Sequence, residues 1–118
     1  MGATDTQTTT HNKLVRDRIP GIIIADGCEC VSRSLDHEDY RRELFQKLCE
    51  ESKEAADASD EIALIEELAD ILEVLYALAS SCGRSMSDLE TVRLAKRAVR
   101  GGFEDRVFLQ TVTKRVGS

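Results

Sequence analysis

Residues 60–81 read DEIALIEELADILEVLYALASS. Ile62, Leu64, Ile65, Leu68, Ala69, Ile71, Leu72, Val74, Leu75, Leu78 and Ala79 occupy most of the circumference of a helix with 3.6 residues per turn. A helix apolar on so many sides belongs at the centre of a bundle. Its one polar window consists of Glu66, Glu67, Asp70 and Glu73, with Glu67 and Asp70 three apart and neighbours on one face. Ser59 or Asp60 supplies the start signal, and Gly83 ends the helix soon after Ser81.

On the N-terminal side of this stretch, Asp36 caps a helix expected to extend to about Ala58. Leu44, Leu48, Glu51 and Ala55 fall on one line of it, so Glu51 lies along the edge of the buried face. Glu54 sits beside Glu51, and Glu50 lies further round. On the C-terminal side, Ser87 is expected to cap a third long helix through Ala95 and Val99, which Gly101-Gly102 terminates. Asp17 is expected to cap a short helix with Pro20 in its first turn, ending near Ala25 before Gly27. Residues 29–35 and 106–112 have strand composition with weak alternation, and their pairing would tie the two ends of the domain together. The expected class is therefore all-α: a bundle of three long helices, a short N-terminal helix and a small two-stranded β element.

The Thr-rich residues 1–11 carry no periodicity and are expected to be a disordered tail, leaving residues 12–118 as a single domain. Aromatic residues make up only 4% and there is no Trp, so the core must be aliphatic. The net charge of −6 disfavours duplex nucleic acid, which needs a cationic surface, but leaves nucleotides open if metal ions invert the sign of an acidic site. Cys28, Cys30, Cys49 and Cys82 match no common zinc or disulfide spacing and read as free thiols in a reducing compartment. No apolar run reaches membrane-spanning length, and the polar N-terminus lacks the basic and apolar parts of a signal peptide. A soluble, cytoplasmic protein without membrane partners is expected.

Two helices joined by a short connection pack antiparallel, which brings Glu51 and Glu54 near Glu67 and Asp70. Like charges so close destabilise a fold unless something compensates. A hard divalent cation such as Mg²⁺, with oxygen ligands and retained waters, does so naturally. Charge runs usually face solvent, however, so spacing alone leaves two solvated acidic faces as the plainer reading. An EF-hand around residues 57–67 is excluded, because the mid-loop glycine is absent and the stretch reads as a turn between helices.

Three segments resemble a known family. Glu50-Glu51-x-x-Glu54, followed by Glu67-x-x-Asp70, is similar to the EExxE…ExxD signature of the MazG-like all-α nucleoside triphosphate pyrophosphohydrolases, a superfamily that includes phosphoribosyl-ATP pyrophosphohydrolase. Residues 13–20, KLVRDRIP, resemble the KLVRDxIP opening of a short MazG-like subgroup, and residues 96–103, KRAVRGGF, resemble its RGGF ending. Together they cover about residues 12–110. One departure is Gly21, where that subgroup often carries an acidic residue.

The resemblance implies an oligomeric helical bundle, a homodimer or homotetramer. It implies Glu51, Glu54, Glu67 and Asp70 as ligands of Mg²⁺ (or Mn²⁺ as a substitute), with Glu50 completing the shell or polarising the attacking water. The implied reaction is hydrolysis of the α–β phosphate linkage of a nucleotide to a monophosphate and pyrophosphate, in a house-cleaning role on non-standard or surplus nucleotides. Phosphate charge calls for cations outside the acidic cluster. Lys96 and Arg100, four apart before Gly101-Gly102, form one candidate pair and Lys13 and Arg16 a second. Alternatives are a non-catalytic helical dimer that binds nucleotide or protein as a regulator and, ranked lower, phosphoribosyl-ATP pyrophosphohydrolase itself.

Overall fold

The computed structural model describes residues 5–117. It is all helical: α1 (Ile19–Ala25), α2 (His37–Ala56), α3 (Glu61–Ser81) and α4 (Met86–Arg100). Residues 5–11 of the expected tail carry no regular structure; its first four residues and Ser118 at the end of the domain lie outside the described residues.

Local chemistry explains where the long helices begin. Asp36 and Asp60 stand just before α2 and α3, and each carboxylate accepts from a backbone N–H three residues on, Asp39 and Ala63, at 2.8 Å. Ser85, not Ser87, caps α4. The Ser85 hydroxyl accepts from the Asp88 N–H at 3.0 Å while the Asp88 carboxylate accepts from the Ser85 N–H at 2.8 Å. Ser87 has no such reciprocal partner, so the capping box settles the start two residues earlier. Hydrogen bonds from Ser85 to the Asp88 carboxylate, the backbone N–H first and the side chain second, hold that carboxyl below its usual range. Pro20 lies in the first turn of α1 as expected, but Arg18 occupies the cap position without a side-chain bond, so Asp17 does not cap.

The expected β element does not form. Among the described residues 29–35 and 106–112 have no strand and no ladder hydrogen bond. Weak alternation gives neither segment one continuous apolar face, and an isolated extended segment has nothing to pair its backbone.

Helix α3 packs along α2, whereas α4 touches it little and every residue of α4 is exposed. The α2–α3 seam is the tightest part of the molecule: Leu44 is 3% exposed and Val74 7%. The buried line on α2 runs through Leu44, Leu48, Glu51 and Ala55, the line that periodicity selects. Elsewhere the single chain does not cover what α3 offers. Ile62, Ile65, Leu68 and Leu72 are exposed, because α3 has apolar side chains all round and only two neighbours. No helix is long and apolar enough to cross a membrane among the described residues, and the four cysteines are free and exposed.

Candidate metal centre

The seam that buries Leu44 also carries the acidic residues. Glu51 is about two helical turns beyond Leu44 on the same line of α2, and it is drawn into the seam with it. Its side chain is only 9% exposed. Across the seam Glu67, half-buried on α3, faces it, and exposed Glu54 completes the group. One carboxylate oxygen from each of the three lies within 4.8 Å of the others. The antiparallel packing of α2 on α3 thus brings together three of the four carboxylates expected to act as ligands.

The cluster lacks donors. Glu51 Oε1 has Lys47 Nζ at 3.5 Å, an ion pair one turn away on α2. Glu51 Oε2 and Glu67 Oε2 are buried with no hydrogen-bond partner. Two ionised carboxylates have only acceptors to offer each other, so their buried oxygens need either a proton or a cation. In the metal-free chain a proton serves. Hydrogen bonding to Glu51 is the largest influence on the Glu67 carboxyl, followed by desolvation and then by the charges of Glu54, Glu51 and Asp70, and its pKa rises from 4.5 to about 7.

That proton has a thermodynamic consequence. The folded chain binds it more tightly than the unfolded chain, so its contribution to stability is complete below about pH 4.5 and lost as the pH rises through about 7. Thermal melts in EDTA should show the wild type losing stability over this window, while Glu67→Gln, which has no proton to lose, follows a flatter profile. Mg²⁺ should raise the wild-type Tm more at pH 8 than at pH 5. Parallel pH profiles for the two proteins would contradict the shared proton.

The fourth expected ligand, Asp70, sits one turn along α3 and holds a different partner. Arg16 Nη2 donates to its Oδ1 at 2.6 Å, a pair joining residues 54 apart in sequence. Arg16 was expected to bind phosphate, and the structure sets it against the acidic side of α3. Lys13 is exposed three residues earlier. Glu50 is half-buried on α2 and stands outside the three-carboxylate group. Lys96 and Arg100 lie together on α4 as their spacing requires, on the rims of a shallow apolar groove, and neither pairs with the acidic cluster. The structure adds Lys47, whose place four residues before Glu51 is the one sequence signal that it faces the same side.

Hard oxygen donors at this spacing, with two buried oxygens lacking partners, suit a hard divalent cation. No protein-family model, curated protein or solved structure matches the chain.

Proposed function

We propose that this chain is a cytoplasmic Mg²⁺-dependent nucleotide pyrophosphohydrolase of the MazG-like kind, assembling as a homodimer or homotetramer, that cleaves the α–β phosphate linkage to yield a monophosphate and pyrophosphate. The observation carrying this reading is the buried, unpartnered oxygen of Glu51 facing that of Glu67. A solvated acidic face has no reason to bury a carboxylate without a donor, since water would satisfy it. The three sequence segments similar to that family add the reaction.

In this reading Glu51, Glu54 and Glu67 hold the metal, with Asp70 as the fourth carboxylate and Mn²⁺ as a substitute ion. When bound, a divalent cation supplies positive charge for phosphate oxygens and acidifies nearby water. The chain's own residues do the positioning. Arg16, already against Asp70 at 2.6 Å, presents a guanidinium to the phosphates at the edge of the cluster. Lys13 adds a second charge from the same segment. Lys96 and Arg100 extend the cationic lining only if substrate reaches α4. Glu50, beside Glu51, accepts the proton of the attacking water.

The Arg16–Asp70 pair also favours a second reading, a nucleotide-binding regulator without turnover, because it already neutralises one carboxylate of the set. Pyrophosphate release by the purified full chain over a nucleotide panel that includes phosphoribosyl-ATP separates the two. The enzyme reading expects Mg²⁺-dependent release of pyrophosphate and monophosphate in equal amounts, abolished by EDTA. Metal binding without turnover on any nucleotide would leave the regulator.

A further inference from the structure

Lys47 has a carboxylate one turn away on either side along α2: Glu43 four residues before it and Glu51 four residues after it. On an isolated helix the glutamate on the N-terminal side makes the better pair. The structure takes the other. Lys47 Nζ lies 3.5 Å from Glu51 Oε1, and among the described residues Glu43 holds no ion pair. What overrides the local preference is the group in the seam, where Glu51, Glu54 and Glu67 each bring an oxygen within 4.8 Å of the others. An ammonium is drawn to the sum of their fields.

The pair is also sheltered. The side chains of Lys47 and Glu51 are 21% and 9% exposed, against 55% and 41% for Arg16 and Asp70. Water and salt screen the second pair far more than the first. Lys47 is therefore the chain's own counter-ion for the cluster, but an incomplete one. It reaches one oxygen of Glu51, and Oε2 of that nine-tenths buried side chain is left without a partner beside the equally orphaned Glu67 Oε2.

Those orphaned oxygens invite a second cation, and the tethered ammonium opposes it, because like charges repel strongly in a poorly solvated seam. The opposition is easily relieved. A lysine carries its charge on a flexible four-carbon stem, so the ammonium can leave Glu51 by side-chain rotation alone. It then needs another anion, and phosphate oxygens carried on the incoming ion supply one at the same place.

We infer that Lys47 is an internal counter-ion that weakens the binding of a free divalent cation and, once displaced from Glu51, holds the polyphosphate borne by the metal, so that the site takes metal and polyphosphate as one unit. The inference rests on the metal-centre reading above and deepens it, naming the cation–polyphosphate complex as the preferred ligand over the bare ion.

Lys47→Met keeps most of the apolar stem and removes the charge. Two probes are titrated into the metal-free full chain and this variant: Mn²⁺ alone, followed by electron paramagnetic resonance, and the Mn²⁺ complex of methylenediphosphonate, whose carbon bridge resists hydrolysis, followed by calorimetry. The variant should bind Mn²⁺ alone on the order of 10-fold more tightly and the complex on the order of 10-fold more weakly. Loss of a merely structural contact would move both affinities the same way. The wild type gives a second reading without any substitution. Acetylation of Lys47, followed by mass spectrometry, should be slow in EDTA, faster with Mg²⁺, and slow again with Mg²⁺ and the diphosphonate together. Shifts of one sign, an unchanged affinity for either probe, or a Lys47 acetylation rate indifferent to both additions would overturn the inference and leave the metal centre standing. Failure of the wild type to bind Mn²⁺ at all would overturn both.

Discussion

Glu51→Gln should abolish Mg²⁺-dependent pyrophosphate release, lowering it by at least on the order of 100-fold, while leaving the metal-free chain as stable as the wild type or slightly more so. The two halves of this expectation come from the same geometry. Glu51 is the most buried of the three clustered carboxylates, and its Oε2 has no donor. Removing its charge removes the ligand best placed to bind a cation within the seam. In the absence of metal the same change relieves repulsion from Glu54 and Glu67, and the new amide can donate to Glu67 Oε2. What is lost is the charge of the pair with Lys47, whose ammonium can still donate to the amide oxygen of the glutamine. Asp70→Asn should also lose activity. Its cost to stability is limited to the half-exposed Arg16 pair, about 1 kcal/mol or less. Full activity in both variants would sink the ligand assignment, and a large drop in metal-free Tm for Glu51→Gln would mean that the carboxylate is structural.

Leu44→Ala should destabilise the fold by about 2–5 kcal/mol, the largest stability effect expected of any single truncation here. Leu44 is the most buried apolar residue among the described residues, and with Val74 it makes up the buried apolar part of the α2–α3 seam. The exposed apolar residues of α3 have less to lose: Ile62→Ala removes a side chain that is 75% exposed and should change the stability of the single chain by less than about 0.5 kcal/mol. Urea unfolding of the two variants, with equal m-values, makes the comparison. An Ile62 cost equal to that of Leu44 would show that the exposed face of α3 is covered in solution.

The residues that could be read from sequence are those whose partners are local or fixed by helical geometry. Asp36 and Asp60 bond to the third residue beyond them, so two helix starts are visible in the chain itself. Ser85 was harder, because Ser87 has the same chemistry; only the return bond from Asp88 distinguishes them. Leu44, Leu48, Glu51 and Ala55 follow from the 3.6-residue period, and a short connection then brings Glu51 and Glu54 to Glu67. What periodicity does not carry is who sits across from whom at long range. Asp70 pairs with Arg16 from a segment outside the bundle helices, and nothing local marks that contact. The strand composition of residues 29–35 and 106–112 misled for a related reason: a strand is a property of a pair, and composition says nothing of the partner. The all-round apolarity of α3 did indicate a central helix, but it did not indicate that one chain would leave part of that surface bare.

Binding of Mn²⁺ to the metal-free full chain at pH 7.5, followed by the loss of the free-ion signal in electron paramagnetic resonance, tests the central claim most directly. It reads the carboxylate cluster without depending on the choice of nucleotide. Saturable binding that Mg²⁺ displaces and Glu51→Gln abolishes is the expected result. Weak, non-saturating binding that is the same in both proteins would show that Glu51, Glu54 and Glu67 are an acidic surface and not a metal centre.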